Sequence, residues 1–174
     1  MKILDIGCGE KKFKSQNKKD KVIGIDLIKT SAADIVWNLE KLPWPFKDSE
    51  FDMVLGTHII EHLADTVKTM EELWRILKKG GKLKIVVPYH SSPGANTDPT
   101  HKINFAYRSL DYFLDLEYNF DFYTSKKFKL VSRNLIFHKS LKFLEGIFNK
   151  FPRLYERFFR YIFPAEELHF ELEK

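Results

Sequence analysis

The sequence predicts an α/β domain built on an open, mostly parallel sheet. Two observations carry that expectation. Short runs rich in Ile, Val and Leu come in succession, KILDI (2–6), KVIGIDL (21–27), ADIVWNL (33–39), FDMVLGT (51–57) and KLKIVVP (82–88), and such runs suit strands buried on both faces of a parallel sheet. Between the fourth and fifth lies an amphipathic segment, TVKTMEELWRILKK (66–79), in which Val67, Met70, Leu73, Trp74 and Leu77 recur at helical spacing. Asp65 caps its start and Gly80-Gly81 marks its end. Strands that alternate with crossovers gather their ligands at the strands' carboxyl ends, so function is sought just after each strand.

The second half is less regular. SSPGANTDPT (91–100) is a loop leaving the fifth strand, and SLDYFLDL (109–116) reads as a helix capped by Ser109. KFKLVSRNLIF (127–137) is a sixth strand, and ELHFELE (167–173) alternates with Leu168, Phe170 and Leu172 on one face, the pattern of a last strand. The intervening segment 140–163 holds two helices separated by Pro152. Residues 1–174 are read as a single domain, with 140–163 a helical insertion before the last strand.

Composition narrows the class. Twenty-nine basic residues against 24 acidic ones leave a net charge of +5, a mild pull toward anions that does not demand a nucleic-acid partner. Cys8 is the single cysteine, so neither an internal disulfide nor a multi-cysteine metal site can form. No signal peptide is readable at MKILDIGCGE, and no apolar run approaches the roughly 20 residues of a membrane span. A cytoplasmic protein is expected.

The first strand runs directly into Gly7-Cys8-Gly9, and Asp26 closes the second strand. Glycines after a first strand let backbone approach a ligand closely, and an acid at the next strand's end can accept hydrogen bonds from ribose hydroxyls. A dinucleotide fingerprint would place a third glycine at position 12, where the chain has Lys12. S-adenosylmethionine, with no pyrophosphate to cradle, needs no such glycine.

LDIGCG, IGID, LEKLPWPFKDSEFDMVLGTHIIEHL and LWRILKKGGKLKIVVP, in this order within residues 2–88, resemble the successive motifs of class I S-adenosylmethionine-dependent methyltransferases. DPTHKINF resembles a loop found in some uncharacterised members. The resemblance implies a doubly wound, Rossmann-like methyltransferase fold with a seven-stranded, mostly parallel sheet whose last strand is antiparallel. It also implies S-adenosylmethionine as cofactor. Asp5, Gly7 and Gly9 would border its methionine part beside the Cys8 backbone, Asp26 would hold the ribose, and Leu27 would pack on the adenine. Asn38 would face the adenine amine through its oxygen, with Leu39 as apolar neighbour. Gly56, Thr57 and His58 would reach the sulfonium side.

His58-x-x-Glu61-His62 also has the letters of an inverted zinc-protease motif. Two such histidines need a regular helix through both, whereas these lie on a strand-to-helix corner. Glu71, Glu72 and Glu117 carry no pattern that would make one of them a third ligand. No metal is expected, and a zinc hydrolase using His58, Glu61 and His62 stays as the lesser alternative. His62 is read as a corner residue and His58 as lining the cofactor.

Methyl transfer needs an in-line approach, and a protein base only when the acceptor must lose its proton early. His101 is the first candidate base, because the loop 91–106 can fold over the site. Tyr89 is the second, while His90 and Lys102 complete the set near the fifth strand. Lys11, Lys12, Lys14, Lys18, Lys19 and Lys21 follow the glycine turn, either as a solvated loop or as a rim attracting an anionic acceptor. In 140–163, Leu154, Tyr155, Phe158, Phe159 and Ile162 are expected on one apolar face beside Arg153, Arg157 and Arg160, which makes peripheral membrane contact a candidate. The expected acceptor is then a small molecule or a lipid- or saccharide-linked group, not a nucleic acid. With the chain starting at its first strand, a second copy is a candidate cover for the site, as a homodimer. The rival function is a non-catalytic S-adenosylmethionine-binding module.

Overall fold

The computed structural model describes residues 1–116 and 122–174. Strands β1 (Lys2–Ile6), β2 (Lys21–Asp26), β3 (Ile35–Val36), β4 (Phe51–Thr57), β5 (Leu77–Pro88), β6 (Lys129–Ile136) and β7 (Glu167–Glu173) form one sheet. Their spatial order is β3-β2-β1-β4-β5-β7-β6. The first five pair in parallel, and β7 runs antiparallel between β5 and β6. The chain reverses its direction of growth between β1 and β4, and the carboxyl tips there frame a crevice. Leu4, Ile6, Ile25, Val54, Leu83 and Ile85 are buried at the centre of this sheet, as the apolar runs predict.

Helix α1 (Thr66–Ile76) starts where expected. Asp65 accepts a hydrogen bond from Lys68 N at 2.9 Å, supplying an acceptor for an N–H the helix leaves free. The helix ends earlier than the glycines suggest. Leu77 is already extended and pairs with Phe51, after which the register jumps to Met53 opposite Lys82. Residues 78–81 bulge between these pairs. Gly80, at φ 74°, donates its N–H to Lys174 O at 2.7 Å, so the glycines anchor the end of β7 and do not cap α1.

Two other expectations are corrected. The third strand shrinks to two residues because Asn38 Oδ1 accepts from Glu40 N at 2.9 Å, a local turn that competes with the strand ladder. Only one 3₁₀ turn, Asp111–Phe113, forms in 109–116; Ser109 Oγ accepts from Ala106 N instead of capping a helix. Leu114 then bridges to Phe128 as extended chain. Glu117 lies outside the described residues.

Residues 139–163 do form a helical excursion between β6 and β7. A 3₁₀ turn (Lys139–Leu144) precedes helix Glu145–Lys150, and after Phe151 the chain is helical again over Pro152–Phe159. The expected single apolar face divides. Tyr155 is fully buried, its hydroxyl donating to Phe163 O at 3.1 Å and accepting from Ala165 N at 2.7 Å. Phe159 packs on the core, whereas Leu154, Phe158 and Ile162 are exposed.

One polar group inside this fold is essential to α1. Glu72 is buried; its Oε1 accepts from Trp44 N and from Arg75 Nη2, each at 2.6 Å. Glu72→Ala would leave the Trp44 N–H without a partner, so a loss of about 2 kcal/mol is expected. Urea denaturation should show a lower midpoint with an unchanged slope; a shift below about 0.5 kcal/mol would contradict this role.

Candidate functional site

The glycine turn is shaped by the strands on either side. Gly7 has φ 65°, and a Cβ there would lie 2.7 Å from the Ile59 side chain, so the position excludes other residues on two counts. Gly7 N donates to Ile25 O at 2.8 Å. Asp26 ties the turn down: its Oδ2 accepts from Gly9 N at 2.8 Å and its Oδ1 from Ile28 N at 3.0 Å. A carboxylate has about four acceptor sites, so both oxygens keep lone pairs for a ligand.

Beside this clasp lies a crevice of about 200 Å³, lined by Gly7, Asp26, Leu27, Trp37, Asn38 and Leu39 on one side and by Ile59, His62 and Leu63 on the other. Glu40 and Lys102, paired at 2.6 Å, stand at its edge. Leu27 is 63% exposed, an apolar surface available to a flat ring. The Asn38 oxygen is shared with Glu40 N.

The other proposed cofactor residues do not line this crevice. Asp5 is buried and accepts from Phe13 N at 2.7 Å; burial raises its pKa, partly offset by that bond and by Lys12. Its place is under the turn. The Cys8 side chain points back to β2, its sulfur packed where Gly24 has no side chain. Gly56 is buried against Ile6 and Ile59. Thr57 is exposed at the tip of β4, and His58 faces a different opening. Trp37, Ile59 and Leu63 escaped sequence reasoning, since nothing in their spacing separates lining from core.

That second opening is a cleft of about 920 Å³, bounded by His58, His62, His101, Ser92, Asp98 and Glu167 among others. His62 lines both spaces and is their boundary. His58 has φ 50°, a strained conformation for a non-glycine residue. Its Nε2 hydrogen-bonds Glu167 Oε1 at 3.0 Å, and its Nδ1 lies 3.3 Å from Glu61 Oε1. These two carboxylates, Glu167 first, lift its pKa to about 9, so it is an imidazolium at neutral pH. Glu167 is in turn lowered to about 2 by His169 and His58.

His101 reaches the same cleft as a neighbour of His62, the ring centroids 4.7 Å apart. Tyr89 does not reach it. It is fully buried, its hydroxyl donates to Glu156 Oε1 at 3.3 Å, and burial followed by the Glu156 charge pushes its pKa far up. The expectation that Tyr89 acts as a base is therefore corrected. His90 packs against Tyr89, the rings tilted by 57°, outside the lining of either space.

Comparison with known proteins bears on this geometry. Residues 4–85 match the family model described as a methyltransferase domain. Over those residues the chain carries a methyltransferase domain. An uncharacterised protein of Methanocaldococcus jannaschii is 37% identical to the chain over 92 residues, covering 49% of this chain and 40% of that protein. Probable tRNA methyltransferase 9B of Bos taurus is 31% identical over 94 residues, 49% of this chain and 21% of its own length. The methyltransferase domain thus aligns to less than half of these relatives. In fold it resembles the Haloferax volcanii chain solved with the Trm112 methyltransferase activator, at TM-score 0.60 and 17% identity over 99% of this chain and 81% of that one.

These findings overturn the expected partners. Relatives of the methyltransferase domain are named for tRNA, and the Haloferax neighbour is paired with an activator. Setting nucleic acid aside in favour of a lipid- or saccharide-linked acceptor, membrane contact and a homodimer was wrong. A mild net charge does not decide the matter, because binding of a polyanion depends on where cations sit more than on their sum. Among the described residues no helix is long and apolar enough to cross a membrane.

The His58–Glu167 pair sets a pH dependence. The raised pKa of His58 makes its contribution full below about 6.5 and lost as pH rises through about 9. The depressed pKa of Glu167 makes its contribution full above about 4.5 and lost as pH falls through about 2. The pair is complete between about pH 4.5 and 6.5. In chelator-containing buffer, His58→Gln should flatten part of the stability decline between pH 6.5 and 9 in denaturation curves; an identical decline in the variant would contradict the assignment.

Proposed function

We propose that the chain binds S-adenosylmethionine in the smaller crevice and methylates an RNA nucleotide presented through the larger cleft. The clasp between Gly9 N and Asp26 at the tips of β1 and β2 carries the cofactor half of this reading. The remaining lone pairs of Asp26 accept the ribose hydroxyls, Leu27 and Leu39 pack on the base, and Asn38 meets the adenine amine. Gly7 admits the backbone side of the amino-acid tail, with Asp5 holding the turn from beneath.

S-adenosylmethionine supplies an electrophilic methyl group. The chain's own contribution is alignment: holding donor and acceptor in line removes much of the entropic barrier. His62 stands between the two spaces, and His101 beside it presents a further polar group to the acceptor. The tRNA-named relatives support RNA as the acceptor, as do Lys11, Lys14, Lys18, Lys19 and Lys21, all exposed on the segment after the glycine turn. Lys12 is instead paired with Asp34. Cations arranged beside the cofactor turn can neutralise phosphates, a contribution that weakens as salt rises.

Calorimetric titration with S-adenosylhomocysteine should show micromolar-range binding that falls at least about tenfold in Asp26→Ala, about 1.4 kcal/mol. Absence of binding by the native chain would remove the cofactor assignment. With labelled S-adenosylmethionine and mixed tRNA, label should enter RNA, and a Lys14→Ala/Lys18→Ala/Lys19→Ala variant should transfer less at moderate salt. Cofactor binding without transfer to any RNA would refute the acceptor alone.

A further inference from the structure

The corner between the two spaces holds a group that alignment of a methyl donor does not use. Glu61 is 1% exposed, and among the described residues neither of its side-chain oxygens has a hydrogen-bond partner. The His58 ring makes an ion pair with Oε1 at 3.3 Å; Oε2 has no such contact. A buried carboxylate oxygen in this condition is costly unless a cation meets it. Glu61, His62 and His101 each offer one ligating atom, all within 4.8 Å of one another.

The surroundings hold both imidazoles in a ligating form. Thr100 Oγ1 donates to Asp98 Oδ1 at 2.7 Å, so it accepts from His62 Nδ1, 3.0 Å away, and the His62 lone pair is on Nε2. His101 Nδ1 lies 3.0 Å from Ala95 O. A carbonyl only accepts, so this nitrogen carries the proton and Nε2 again keeps the lone pair. Donation from the second ring nitrogen to an oxygen is the support that metal-bound histidines use. The backbone brings the elements together: Lys102 N and Ile103 N both donate to Glu61 O, at 2.8 and 3.2 Å, which fixes His101 against the corner.

We propose that Glu61, His62 and His101 bind one divalent transition-metal ion whose open position faces the larger cleft. Two histidines and a carboxylate suit zinc, manganese or iron and leave room for an exogenous oxygen ligand. Ligand atoms about 2.1 Å from an ion are at most about 4.2 Å apart, so a pair at the 4.8 Å limit closes by at least about 0.6 Å on binding. His58, the first histidine of the sequence motif, takes no part; His101 replaces it. The lone pair that would make His101 a base is the one it gives the metal. Resting on the methyl-transfer reading, the oxygen in the open position belongs to the acceptor, held beside the cofactor crevice at His62.

The test uses the untagged full chain, stripped with chelator and titrated calorimetrically with zinc and manganese chlorides. One equivalent of zinc should bind, with affinity at least about 100-fold weaker in His101→Ala and about tenfold weaker in Thr100→Val, which removes only the support of His62. His138→Ala, remote from the corner, should bind as the native chain does. Glu61→Gln keeps the claim testable if His101→Ala fails to fold, which thermal melting reports. No stoichiometric binding by the native chain, or native affinity in a folded His101→Ala or Glu61→Gln, overturns the site. Titration of the same samples with S-adenosylhomocysteine separates the two readings: metal binding without nucleoside binding would support the metal site and refute the methyl-transfer reading.

Discussion

One hydrogen bond organises the functional end of this molecule, that from Gly9 N to the Asp26 carboxylate at 2.8 Å. It joins the turn after β1 to the tip of β2, and with Gly7 N on Ile25 O it pins a loop with no helix of its own over residues 10–20. The turn is left-handed on both sides of Cys8, where φ is 65° and 52°, a conformation that favours glycine. With Ile59 filling the space that a Cβ on Gly7 would need, turn, β2 tip and β4 corner become mutually dependent. A carboxylate so held is already oriented before any ligand arrives, so little ordering cost remains at binding.

The corner after β4 performs a second division. Ile59 and His62 close the crevice on one side, while His58, His62 and His101 open to the larger cleft on the other. The charge is distributed accordingly. His58 is held as a cation between Glu61 and Glu167, whereas His62 and His101 are oriented by Thr100 and Ala95 O. His58 thus differs from the other two histidines of the cleft, a difference set by partners and not by place in the motif.

Local chemistry was readable from the sequence wherever neighbours in the chain create it. The glycine turn, Asp26 at a strand end, the Asp65 cap and the alternation of β7 are of this kind. The Gly80-Gly81 stop was misplaced because the pairing of Leu77 with Phe51 overrides a local signal, and the 109–116 helix failed where Leu114 found Phe128 across the fold. Nothing local could join His62 to His101, which meet through the backbone bonds of Lys102 and Ile103 to Glu61. Glu167, the nearer of the two carboxylates that pair with His58, is 109 residues away in the chain. In 140–163 the expected single apolar face divides, because periodicity alone could not separate buried Tyr155 from exposed Phe158.

The central claim is that a nucleoside lies across the tips of β1 and β2 with its sugar on Asp26. A crystal structure of the chain with S-adenosylhomocysteine tests it most directly. The account predicts both ribose hydroxyls within hydrogen-bond distance of the Asp26 oxygens and the adenine against Leu27, with the Gly9–Asp26 bond intact. A nucleoside seated elsewhere, or an Asp26 side chain turned away from the sugar, would contradict it.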